Sequence, residues 1–231
     1  MRDPLGLLGP EKIWYMNGYN GNKVLEFEGM NHFKAGQISK TYILPHNFDG
    51  TGAVVYGRYL YYNRANSKYV VQYNLTTGTV TRLVIPNSSI KPRTHYYQWG
   101  GYTTMDLSVD ESGLWVLYAY ESNSGKLCAT QLDPLTMSTL HTYCGISSES
   151  MNSMGNAFVA CGVVYSIDSY NSATTTINYA YDTTKSSGTN PAIKFVNKFT
   201  YNSMVTYNPR EKVLYSWNNK RQITYPLEFE E

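Results

Sequence analysis

No apolar run in this 231-residue sequence approaches the roughly 20 residues a membrane-spanning helix needs, which argues against direct membrane insertion. Charge is sparse and balanced. Nineteen Lys and Arg face seventeen Asp and Glu, for a net charge of +2, and the basic residues are scattered rather than clustered. A nucleic-acid partner is therefore not expected. Residues 1–10 lack both the charged and the continuous apolar region of a signal peptide. The start Met1-Arg2-Asp3-Pro4 reads as the interior of a longer protein, of which 1–231 is a single excised domain. There are three cysteines, Cys128, Cys144 and Cys161, so at least one is unpaired within the chain. There is no CxxC pair, and the four histidines (32, 46, 95 and 141) lie far apart, which argues against structural zinc.

What the sequence has in quantity is tyrosine, 23 in all, beside 18 glycines and many Thr, Ser and Asn. Tyr and Thr suit half-buried strands, and Gly and Asn suit tight turns, so the composition is that of an all-β protein. One pattern recurs. An aliphatic–aromatic pair sits just after a Gly or charged turn at Ile13-Trp14, Leu60-Tyr61, Leu114-Trp115, Val164-Tyr165 and Leu214-Tyr215. The copies lie roughly 50 residues apart, and each is followed by a second strand-like run, the signature of a four-stranded propeller blade. Five copies fill the chain and give a five-bladed β-propeller. A β-sandwich is the alternative, but its strands need not repeat at a near-constant long interval.

The repeat also indicates what lines the axis, because the first strand of each blade precedes the anchor pair. Nine residues before each aromatic anchor stand Leu5, Gly52, Asp106, Asn156 and Thr206. A carboxylate, an amide and a hydroxyl then converge from the last three blades, an oxygen set suited to a hard cation such as calcium or sodium. The other reading is a hydrated channel with one satisfied Asp. Cys128 and Cys144 flank the turn at Leu132–Thr136 and either face each other across that hairpin as a disulfide or remain two buried thiols.

Several segments in order closely resemble the olfactomedin domain. They are Gly52–Tyr56, Trp99–Tyr102, Asp106–Trp115, Gly155–Phe158, Cys161-Gly162, Tyr207–Arg210 and Leu214–Asn219. The resemblance runs from Arg2 nearly to the C-terminus. It implies a secreted or cell-surface five-bladed propeller, placed in the extracellular matrix or at the cell surface and used for protein recognition. It also implies a disulfide from Cys161 to a cysteine upstream of Met1. Cys128 and Cys144 match no usual family cysteine. Metal ligands carried over from the family are the Asp106 carboxylate, the Asn156 side chain and the Ala157 and Val205 carbonyls. The family's second carboxylate is missing, because Thr206 stands in its place, so calcium is expected to be weak or absent, with sodium or water instead. That unusual centre resembles family members that bind axonal neurofascin and NrCAM where sodium channels cluster at nodes of Ranvier. Oligomerisation is implied through segments outside this domain.

An enzyme is not expected. A glycosidase needs two carboxylates roughly 5–10 Å apart, and the axial set supplies only Asp106. Asp110 and Glu111 lie in a turn where acidic residues commonly serve the turn itself. No Gly-x-Ser-x-Gly, HExxH or phosphate-binding Gly loop occurs. The candidate partner-binding loops are 87–98, with Lys91, Arg93, His95, Tyr96 and Tyr97, and 147–154. For the first, the plain alternative is a blade-to-blade crossover. Lys194, Lys198, Lys220 and Arg221 read as a solvated face. Glycosylation sequons occur at Asn74 and Asn87.

Overall fold

A computed structural model describes residues 1–90 and 95–229. Five separate antiparallel sheets follow one another along the chain as the blades of a propeller. Blade one holds β1 (Ile13–Tyr15), β2 (Asn20–Phe27) and β3 (Lys40–Asp49), with the short helix α1 (Met30–Lys34) between the last two. Blade two holds β4 (Val54–Tyr56), β5 (Tyr59–Asn63), β6 (Tyr69–Asn74) and β7 (Val80–Val84). Blade three holds β8 (Met105–Asp110), β9 (Gly113–Tyr120), β10 (Lys126–Asp133) and β11 (Ser138–Cys144). Blade four holds β12 (Asn156–Ala160), β13 (Val163–Ile167), β14 (Thr174–Asp182), β15 (Ser187–Thr189) and β16 (Ile193–Val196). The last two both pair with β14. Blade five holds β17 (Asn202–Asn208), β18 (Val213–Asn218) and β19 (Arg221–Pro226).

Local chemistry explains the hairpins. In the two-residue turn between β12 and β13, Cys161 and Gly162 have φ of 51° and 74°. Positive φ at both central residues is the turn geometry whose twist matches the flanking strands. Asn219 and Lys220 do the same between β18 and β19, with φ of 49° and 63°. Burial on both faces is most complete near the axis of blades three and four: every residue of β8 and β12 is buried, as are the middle six of β9. Outer strands such as β7 and β11 are exposed.

Burial concentrates between blades. Separate apolar clusters lie between blades one and two (Trp14, Phe48, Leu60), two and three (Tyr61, Met105, Leu114), three and four (Trp115, Leu127, Val164), and four and five (Phe158, Val205, Leu214). Each fully buried large side chain contributes about 1.5–3 kcal/mol. The fifth seam, between blades five and one, differs. A cavity of about 920 Å³ opens there, lined among others by Trp14, Met16, Phe33, Met204 and Trp217. Across this seam Arg2 pairs with Glu211 at 2.9 Å, Arg210 donates to the Pro10 carbonyl, and Tyr15 stacks on Trp217 at 5.4 Å.

Two expectations need correcting. Blade one has no inner strand through Leu5. That residue is 51% exposed, in a turn whose Leu5 and Leu7 amides donate to the Asp3 carboxylate. Met1 alone lies along β1 there, exchanging two hydrogen bonds with the Trp14 backbone. Thr206 is also not the register equivalent of Asp106 and Asn156. Those two oppose Leu117 and Ile167, two residues beyond their anchors, whereas Thr206 opposes its anchor Tyr215 directly. The β17–β18 turn, Pro209–Lys212, is longer than the two-residue turns of blades three and four, and that displaces the count.

Cys128 and Cys144 are bridged. They stand directly opposite each other on β10 and β11, so the hairpin register settles the alternative that spacing left open. Cys161 is exposed and unpaired.

Candidate functional site

The inner strands of blades two to five surround the axis, with β8, β12 and β17 packed against one another. Asp106, 5% exposed, is the acidic group among the expected ligands. Burial pushes its carboxyl up to about 8, against the hydrogen bond from Tyr97, which favours the ionised form. The Tyr97 hydroxyl donates to Asp106 Oδ2 at 2.9 Å and is itself approached by the Ala157 backbone N–H. Asn156 is buried, and its Oδ1 accepts from the Ala157 amide at 3.0 Å. Val205 is buried on β17. Thr206 Oγ1 is buried with no hydrogen-bond partner. Gly52 is required opposite, because Asp106 occupies the place where a side chain at position 52 would begin.

This donor set does not suit a dication. It offers one carboxylate, already engaged by Tyr97, an amide oxygen already accepting a backbone hydrogen bond, and beyond these only the neutral Ala157 and Val205 carbonyls. A calcium site normally gathers six to eight oxygens with enough formal charge to compensate the ion. Among the described residues no group of three or more His, Cys, Asp or Glu is placed to hold a metal.

Tyr97 therefore plays a different part from the one expected of it. Expected as a partner contact, it is fully buried and ties the blade-two-to-three crossover to the axis. Lys91 and Arg93 lie outside the described residues. Tyr96 is half-buried, with its ring on Tyr102 at 5.1 Å. The 147–154 loop is anchored by buried Met151 and Met154 and by the Ser147 hydroxyl, which accepts from the Leu127 amide, while Ser148, Glu149, Asn152 and Ser153 are exposed. Asn87 is exposed, whereas Ser88 and Ser89 of its sequon are buried. Asn74 is half-buried and caps its own turn, accepting from the Thr76 and Thr77 amides.

Asp110 and Glu111 do serve their turn, and they also join blades. Asp110 Oδ1 accepts from Ser112 and from Trp115 Nε1, and its Oδ2 accepts from the Gly162 amide of blade four at 2.6 Å. Glu111 accepts from the Cys161 amide at 2.9 Å and from the Tyr207 hydroxyl of blade five at 2.7 Å. Burial alone would raise the Glu111 carboxyl, but these donors hold it below its usual range. Local burial, and then the same carboxylate, push the Cys161 thiol up.

The model of the Olfactomedin-like domain matches residues 1–231. The chain belongs to the olfactomedin-like family. This olfactomedin-like domain is 38% identical to rat (Rattus norvegicus) myocilin over 236 residues, covering 100% of the chain and 46% of the relative. It is 38% identical to human (Homo sapiens) myocilin over 232 residues, covering 98% and 45%. With dog (Canis lupus familiaris) myocilin the identity is 39% over 220 residues, covering 94% and 45%. The chain thus spans just under half the length of these relatives. Among solved structures it is similar to "Dihydro-heme d1 dehydrogenase NirN in complex with DHE", at 15% identity and a TM-score of 0.45, covering 99% of this chain and 43% of that one. So low a score carries no functional argument.

Proposed function

We propose that this olfactomedin-like domain is an extracellular protein-recognition module, borne by a longer secreted or cell-surface protein and acting by binding rather than catalysis. The observation that carries this reading is the packed axis. The propeller's usual place for chemistry holds the buried Asp106 carboxylate, covered by Tyr97, whereas a glycosidase works with a pair of acids. What the fold leaves open is its loop surface, where recognition normally resides. The Cys128–Cys144 disulfide supports an oxidising, extracellular setting. Exposed Cys161 fits a second bridge to an upstream cysteine, and Asn87, with Asn74, fits glycan attachment.

The partners we infer are neuronal cell-adhesion proteins of the neurofascin and NrCAM kind, as for the gliomedin-type members. Noelin-like members, matrix or receptor-binding propellers, usually carry Asp where this chain has Thr206, which weighs against that second reading. The test is binding of the tagged domain to cells displaying neurofascin or NrCAM, against untransfected cells. Saturable binding is the expected result. A folded, monodisperse domain that binds neither protein rules out the gliomedin-type assignment.

A further inference from the structure

One end of the propeller carries a continuous aromatic band drawn from loops far apart in sequence. Tyr19, in the β1–β2 turn, meets Trp99 at 5.9 Å and Tyr102 at 6.2 Å, both in the crossover between blades two and three. Tyr96 packs on Tyr102 at 5.1 Å. Tyr201, in the crossover between blades four and five, reaches the Trp99 carbonyl with its hydroxyl at 3.4 Å and packs on Tyr170 at 5.3 Å. These contacts join residues of blades one, four and five to the loop entering blade three, so the band roofs the axis. Tyr19 and Tyr201 remain 45% and 44% exposed.

The margin beside Tyr201 is cationic. The Asn219 amide donates to the Tyr201 carbonyl, which brings the Lys220-Arg221 turn against the band. Arg221 and Lys198 both lie over the Phe199 ring, at 4.4 and 5.7 Å. On the neighbouring 168–173 loop Asp168 is the described carboxylate. Tyr, Trp and Arg are the residue types that dominate the centres of protein interfaces, because rigid amphipathic rings bury much area at little entropic cost. A rim of one sign selects and steers a partner of the other.

We propose that this aromatic end face is the partner-docking surface, and that the partner is a protein presenting an apolar protrusion bordered by carboxylates. The proposal rests on the recognition reading above and names its face and its chemistry. Tyr19, Trp99 and Tyr201 supply the apolar centre, and Lys198, Lys220 and Arg221 supply the charged edge.

The test titrates the tagged domain on cultured neurons at low and high salt, comparing the wild type with Y19A/Y201A, K198E/R221E and, at the opposite end, L135S. Leu135 is 85% exposed in the β10–β11 turn. Each variant is first checked for a wild-type melting profile; single substitutions replace any double variant that fails this check. The aromatic variant should lose about tenfold or more in affinity at every salt concentration. The charge variant should lose affinity chiefly at low salt and flatten the salt dependence. L135S should bind normally, and prior trypsin treatment of the cells should abolish binding. Wild-type affinity in both face variants, or loss in L135S, overturns the face while leaving recognition intact. Binding that survives trypsin but disappears after enzymatic removal of cell-surface glycans overturns the protein partner in favour of an acidic glycan. A wild-type domain that does not bind neurons removes the recognition reading itself, and the face with it.

Discussion

Glu26 illustrates how a single buried charge is made tolerable in this molecule. Its carboxylate accepts from Lys12 Nζ at 2.6 Å, Trp14 Nε1 at 3.0 Å and the Tyr42 hydroxyl at 2.5 Å. Burial opposes ionisation, but these three donors outweigh it and hold the carboxyl below its ordinary value. A carboxyl depressed on folding adds stability at neutral pH that is lost as pH falls through the acidic range. Glu26→Gln should therefore cost about 2–3 kcal/mol at pH 7 and show a flatter acid limb, measured by urea unfolding across pH. Tyr97→Phe should cost about 1–3 kcal/mol, since it strips buried Asp106 of its side-chain donor. Neither partnership was legible in the sequence. Tyr97 sat among Lys91, Arg93 and Tyr96 in what reads as a surface loop, and nothing local marks which of two adjacent tyrosines turns inward.

At the scale of elements, the anchors Trp14, Tyr61, Trp115, Tyr165 and Tyr215 do occupy second strands, because a blade must repeat its buried alternation wherever it packs on its neighbours. That regularity made the fold readable. Turn length is where the reading slips. The longer Pro209–Lys212 turn shifts Thr206 along its strand, and counting residues could not reveal this without the register. The disulfide was open for a related reason, as a slip of one residue reverses a strand's faces. With Cys128 and Cys144 opposed across β10 and β11, replacing both by Ser should lower stability by about 3 kcal/mol for a loop of this size, read as a shift in melting temperature. A thiol assay of the denatured, unreduced chain should find Cys161 as its sole free thiol.

For the whole molecule, the axis decides whether the propeller needs an ion. Calorimetric titration with calcium should show no micromolar site, given one engaged carboxylate and an unpartnered Thr206 hydroxyl. Thr206→Asp puts a second buried acid on β17, which packs against β8; it should destabilise the domain without calcium and make its melting temperature rise with calcium. No rise in the variant would mean that Thr206 is not directed at the same point as Asp106. The fivefold architecture and the axial course of blades two to five were thus legible from the repeat, whereas the missing inner strand at Leu5 and the aromatic roof were not. Its rings come from the β1–β2 turn and from two crossovers, segments outside the repeating pattern, and only the closed ring brings them together.

The seam between the last blade and the first has a mechanical meaning. The other four joints are cemented by apolar packing, but here the ring is fastened by Arg2 to Glu211, Arg210 to Pro10 and one stacked pair of rings beside an open cavity. Under tension applied between its two ends, the propeller should behave as a split washer, parting first at this clasp while the arc from blade one through blade five stays whole. A domain loaded in that direction would yield in two steps, a small opening at low force followed by rupture of the blades at higher force.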